Sequence, residues 1–216
     1  MQQESLAERS VRSSLMAKVM WLLASSVAVA VVGAWVGNRL LSPALWTVML
    51  LVEIGLVLAV RAWHEVEGLN VGLLYACTFT TGLTLGPTIG YYVAAGQGDA
   101  VTYSLAITGL LFCGLGGLAW ITKTDFSGWQ GYLMAALTGL LVVSVGNLVL
   151  GSSLLHGAIN YFGILLFSLY VVYDVQRTKS GENTMGNAVL LTLEIYLDIL
   201  NLFLFILSLL GSGDDD

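Results

Sequence analysis

Five ionisable side chains fall where their neighbours are apolar: Glu53, Arg61, Asp174, Glu194 and Asp198. Inside a lipid-spanning segment such groups are costly, and by default they mark an ion path, a proton relay or a paired charge. Glu194, Asp198 and Asn201 repeat at i, i+4 and i+7, which puts them on one face of a helix. Counted inward from the outer ends of their apolar segments at 1.5 Å per residue, Asp174 lies about 24 Å deep, Arg61 about 25 Å, Glu194 about 24 Å and Asp198 about 18 Å. These four form one layer in the cytoplasmic half of a membrane, and Glu53, about 13 Å in, is nearer the middle. Three carboxylates against one deep arginine leave excess negative charge, which suits a shared proton or a bound cation. Two carboxylates held close together do not both ionise cheaply and titrate as a unit. Carboxylate and carbonyl oxygens are also the ligands that Ca²⁺ takes. The same side chains also fit a set of structural ion pairs, with Arg61 or Arg177 on Asp174, and spacing alone leaves both readings open. Tyr170, Tyr173 and Tyr196 flank this layer as candidate hydrogen-bond donors, whereas His64 and His156 fall at segment ends and read as interfacial.

The elements that must hold these residues are helices in lipid. Of 216 residues, 57% are hydrophobic and only 10% charged, with 25 glycines and two prolines, and the mean hydropathy is +0.84. That composition excludes a soluble enzyme domain, a disordered chain and a disulfide-rich secreted module. The apolar runs are long and continuous rather than alternating, which excludes a transmembrane β-barrel. Seven stretches approach the 20 or so residues that a span needs: 17–38, 44–63, 69–92, 101–122, 130–150, 158–175 and 184–210. The expectation is an all-α polytopic membrane protein, a single seven-helix domain over 1–216. The first apolar run follows a polar segment and is itself long enough to span, so it reads as a span rather than a cleaved signal. With the N-terminus inside, the cytoplasmic side carries Arg9, Arg12, Lys18, Arg61, Lys123, Arg177 and Lys179, and the other side Arg39 alone. The positive-inside rule therefore predicts a cytoplasmic segment 1–16 and, after seven spans, an acidic tail 211–216 on the opposite side.

The last span is apolar all round apart from its acidic face, so it should be surrounded by the others. The third carries Gly82, Gly86, Pro87 and Gly90, which predict close helix packing and an interrupted backbone ladder. Its Thr78, Thr80, Thr81 and Thr84 should bond back to their own helix. Cys77 and Cys113 read as small buried hydrophobes. No zinc motif, Walker loop, HExxH or basic run is present, so no cofactor, enzyme activity or nucleic-acid partner is expected. Paired aspartates can serve an intramembrane hydrolase, but no Gly-x-Gly-Asp context surrounds Asp198. A retinal pigment would need a lysine deep in the last span, and that span has none.

Residues 167–174 (FSLYVVYD) followed by 193–203 (LEIYLDILNLF) resemble the Bax inhibitor-1, or transmembrane BAX inhibitor motif, family. The Leu-Gly-Pro element at 85–87 and the AGQGD run at 95–99 are similar to the same pattern. The paired aspartates are the specific part, and the likeness covers nearly the whole chain from the first span onward. It implies six helices wrapping a central, C-terminal seventh. It also implies a pH-controlled Ca²⁺ leak whose gate and proton sensor are Asp174 and Asp198, with Ca²⁺ as transported ion, protons and the lipid bilayer as partners, and a bacterial inner membrane as location. In such members a second-span arginine latches the aspartates. Arg61 keeps the face but sits about one turn from the family's position, with His64 nearer to it. Glu53 resembles an acidic residue of their second span, and Glu53, Glu194 and Asn201 would line the ion path. A second bacterial branch resembles a modulator of the membrane protease FtsH, and residues 86–99 are similar to that branch too. It lacks one or both aspartates, and this chain keeps both, which favours the calcium reading. A regulator without conduction is the alternative, with a membrane protease as partner and contacts through 1–15 and 177–184.

Overall fold

The computed structural model describes residues 2–211, with side chains from Ser14 onward apart from Ser127. The predicted acidic tail, from residue 212 on, and the side chains of Arg9 and Arg12 lie outside that description. Seven long helices follow one another: α1 (Gln2–Leu40), α2 (Pro43–Trp63), α3 (Leu69–Ala94), α4 (Gly98–Ile121), α5 (Gln130–Leu150), α6 (Ser153–Ser180) and α7 (Met185–Gly211), with a 3₁₀ turn at Ser127–Trp129 before α5. Among the described residues there is no strand. Six of the helices are long and apolar enough to cross a membrane.

The seventh is α3. Its 26 residues make about 39 Å of helix, enough to span, but threonine, glycine and tyrosine dilute its hydropathy below that of the other six. Those hydroxyls turn inward. Thr78, Thr80, Thr81 and Thr84 are all buried, and each donates to a carbonyl three or four residues earlier, at 2.8–3.3 Å, as the sequence predicts.

Helix ends follow local chemistry. Ser42 caps α2 by accepting from the Leu45 amide, and Pro43, with no amide to lose, opens the first turn. Gly151 ends α5 in the left-handed region at φ 63° and returns its amide to the Asn147 carbonyl at 2.8 Å. The expected span 158–175 is longer as a helix by five residues at each end. The apolar stretch stops at Val175, but Gln176, Arg177 and Lys179 are good helix formers and carry the helix on to Ser180. Asp174 is consequently a helix-interior residue rather than a terminal one.

The helices pack as two compact units. One holds α1, α2, α3 and the first part of α7, residues up to 96 together with 178–196. The other holds α4, α5, α6 and the rest of α7, residues 97–177 with 197 onward. In the first unit α1 and α3 meet backbone to backbone. A Cβ built on Gly37 would overlap the Leu83 carbonyl and stand 2.8 Å from its carbon. One on Gly86 would overlap the Ala34 carbonyl and stand 2.7 Å from the Asn38 nitrogen. Small residues four apart permit this approach. Pro87 removes the amide that the Leu83 carbonyl would otherwise accept from, so the oxygen facing Gly37 is one that α3 itself leaves open. Trp46 of α2 donates its indole Nε1 to the neighbouring Thr84 carbonyl at 2.9 Å. In the second unit Phe167 stacks on Tyr170 and Phe205 at 5.7 and 5.8 Å between centroids, and a Cβ on Gly163 would meet the Phe205 ring at 2.7 Å.

Helix α7 is the most enclosed of the candidate spans. Of its apolar window 56% is buried, against 6% for α2 and 11% for α5, in line with the surrounded last helix that its all-round apolar surface predicts. Cys77 is buried as expected, but Cys113 is exposed. Its side of α4 is exposed, so the thiol is not part of the core.

Candidate functional site

In the second unit, α6 and α7 contribute the two most deeply enclosed carboxylates. Asp174 is 4% exposed and Asp198 5%. The guanidinium of Arg177, one turn along α6, reaches Asp174 with Nη1 3.2 Å from Oδ1 and lies 5.7 Å from the Tyr173 ring centroid. This i, i+3 pair is the structural ion pair that the spacing offers. Tyr170, one turn before Asp174 on α6, has a buried hydroxyl oxygen that carries no hydrogen bond among the described residues. Asn201 turns its amide back on its own helix and donates to the Leu197 carbonyl at 2.7 Å. Further along α7, Ser208 takes a hydrogen bond from Asn160 Nδ2 at 3.0 Å and sits 3.0 Å from His156 Nε2.

The first unit holds the remaining charges. Arg61 Nη2 lies 3.5 Å from Glu194 Oε1, with the arginine half-exposed and the glutamate largely enclosed. The sequence offers Asp174 or Asp198 as the anion for Arg61, whereas the ion pair described for it is with Glu194. His64 sits at the end of α2 with Nδ1 2.8 Å from the Arg61 carbonyl, and its Nε2 is 3.8 Å from the exposed Glu65. Both contacts fit an interfacial residue. Glu53, half-buried on α2, meets Thr84 of α3 with 2.9 Å between Oε2 and Oγ1. Tyr196 turns its hydroxyl to Thr81 Oγ1 at 2.5 Å.

Two polar positions lie outside what spacing suggests. Asn70, 1% exposed, donates to the His64 carbonyl at 2.8 Å and closes the turn between α2 and α3. A lone amide at the first turn of an apolar helix is the only signal it gives. Asn183, between α6 and α7, accepts from Lys18 Nζ on its carbonyl at 3.5 Å and donates its amide to Ser14 Oγ. That ties the loop to α1 near Ser14, which no helical pattern predicts.

Among the described residues no three His, Cys, Asp or Glu side chains converge as a metal-binding group.

The family model described as inhibitor of apoptosis-promoting Bax1 matches residues 12–215. A Campylobacter jejuni protein without assigned function is 36% identical over 201 residues, covering 88% of this chain and 85% of its own. An uncharacterised membrane protein of Vibrio cholerae is 35% identical, over 79% of this chain and 76% of its own. The Escherichia coli K12 protein named modulator of FtsH protease YccA is 30% identical, over 79% of this chain and 81% of its own.

Proposed function

The chain belongs to the Bax inhibitor-1 family, whose model spans residues 12–215, and from that premise we propose that it is a pH-sensitive Ca²⁺ leak protein of a bacterial inner membrane. Asp174 and Asp198 form its gate and proton sensor. The observation that carries this reading is their joint burial on α6 and α7 within the same compact unit. Enclosed carboxylates that share a proton change charge together, and a change of charge inside a low-dielectric layer decides whether a divalent cation is held there. Arg61 acts as the latch by holding Glu194, the acidic residue one turn before Asp198 on α7. Glu53, Glu194 and Asn201 line the path. The N-terminus is cytoplasmic, as the lysine and arginine bias requires.

The deciding experiment is Ca²⁺ flux into proteoliposomes across a pH series, with wild type and Asp198→Asn side by side. The wild type should conduct with a pH-dependent rate and the variant should lose the dependence. Absence of flux at every pH overturns the calcium reading.

One observation favours a second reading, that of a regulator of a membrane protease. The relative YccA is named a modulator of FtsH protease. The two segments that such a partner would meet, the start of α1 and the loop before α7, are already joined through Ser14, Lys18 and Asn183. Under this reading the protein co-purifies with FtsH from the membrane of its host and alters the turnover of FtsH substrates, with no ion flux of its own.

A further inference from the structure

The contact between Glu53 and Thr84 has a proton count that constrains it. A threonine hydroxyl owns one proton and two lone pairs. Thr84 Oγ1 lies 2.9 Å from Glu53 Oε2 and equally 2.9 Å from the Thr81 carbonyl. If Glu53 is ionised, both of those oxygens are acceptors and they compete for a single proton. If Glu53 carries its own proton, both contacts are satisfied at once: Glu53 donates to a lone pair of Thr84, and Thr84 donates to Thr81.

The neighbouring hydroxyls leave no other proton to settle the count. Thr81 Oγ1 donates to the Thr78 carbonyl at 2.8 Å, so its contact with Tyr196 is made by the Tyr196 proton. No cation balances a charge at Glu53 either, since among the described residues Glu53 has no ion pair. Cys77, on the same face of α3 as Thr84, and Tyr196 of α7, which meets Thr81 on that face, are both acids and neither is a source of positive charge. Arg61, two turns further along α2, is engaged with Glu194. Glu53 is part-enclosed on an otherwise apolar helix, where an isolated carboxylate is costly.

We propose that Glu53 is a proton-binding site, a carboxylic acid that bears its proton at neutral pH and donates it to Thr84. This inference does not depend on the calcium reading. If the path does run past Glu53, a cation has to displace this proton to use the carboxylate.

Infrared difference spectroscopy of the protein in lipid bilayers at neutral pH tests it without any flux measurement. Wild type minus Glu53→Gln should show the carbonyl stretch of a protonated carboxylic acid belonging to the wild type, and the band should persist in Asp174→Asn and Asp198→Asn. Thr84→Val should retain the band and move it to higher frequency, because the acid loses its acceptor. Should Glu53→Gln not fold, carbon-13 labelling of glutamate in the Glu194→Gln protein, whose glutamates other than Glu53 fall outside the apolar stretches, identifies the same band. A carboxylate stretch in place of the acid band, or a band that Thr84→Val leaves unmoved, overturns the proposal.

Discussion

Replacing Gly86 by alanine tests the packing that holds the first unit together. The added Cβ would overlap the Ala34 carbonyl and stand 2.7 Å from the Asn38 nitrogen and 3.0 Å from the Ala34 carbonyl carbon. All of these are backbone atoms of α1, so no side chain can swing aside, and the two helices must separate by about 1 Å to restore ordinary contact. A gap of that size forfeits a quarter to a half of each dispersion well. Across some 40 atom pairs of about 0.15 kcal/mol each, roughly what one buried side chain makes, the loss is about 1.5–3 kcal/mol. Alanine returns about 1 kcal/mol of helix propensity, leaving a net cost of about 0.5–2 kcal/mol. On the scaling for chains of this length that is a fall in Tm of about 1–8 °C. The assay is thermal unfolding in detergent followed by tryptophan fluorescence. The matched control is Gly109→Ala on α4, where a Cβ meets nothing within 4 Å; it should be neutral or gain up to about 1 kcal/mol. If Gly86→Ala melts with the wild type or with that control, the backbone contact between α1 and α3 is not a determinant of stability and the reasoning fails.

Asp174→Asn and Asp198→Asn should each flatten the dependence of Ca²⁺ flux on pH, since either change removes the pair that shares a proton; unaltered profiles in both would take these residues out of the mechanism. Arg61→Ala removes the cation from the largely enclosed Glu194 and should change flux at fixed pH, whereas identical flux would end its role as latch. Asn70→Ala breaks the bond to the His64 carbonyl and leaves that turn open; the expected cost is about 1–3 kcal/mol, read as a lower Tm. Tyr196→Phe should cost less, about 0.5–1.5 kcal/mol, because Thr81 keeps its bond to the Thr78 carbonyl.

How much of this was legible from the sequence differs by feature. A run of 20 apolar residues is its own evidence for a span, so the seven helices follow from length and composition. Their ends do not, because helix propensity and hydropathy are different properties. Gln176, Arg177 and Lys179 end an apolar run without ending α6. Within the candidate site, the i, i+4, i+7 spacing correctly puts Glu194, Asp198 and Asn201 on one face of α7. A helical face says nothing about which cation stands opposite. Arg61 and Asp174 match in depth, yet depth is one coordinate of three, and the ion pairs described are Arg61 with Glu194 and Asp174 with Arg177. The Asn183 contacts were invisible because loop residues carry no period to read.

The helix hardest to recognise as a span, α3, shows why its residues are as they are. Gly82, Gly86 and Gly90 recur every fourth residue and form the stripe that α1 approaches. Cys77, Thr81 and Thr84 follow i, i+4, i+7 and form a second stripe, which meets Tyr196 of α7 at Thr81 and Glu53 of α2 at Thr84. The first stripe excludes large apolar side chains because backbone must touch backbone. The second excludes them because partners with oxygen and hydroxyl groups would be left unsatisfied in lipid. Low hydropathy in α3 is thus the consequence of being packed on two faces. Among the helices of a membrane protein, the least apolar one is then a candidate for the most constrained one. The corollary is specific: Thr84→Leu, which raises the hydropathy of α3, should lower stability, because it strips the Glu53 carboxyl of its hydrogen bond and forces a larger side chain against α2. An increase in Tm for that variant would show that apolar content, and not the two stripes, sets the place of α3 in the fold.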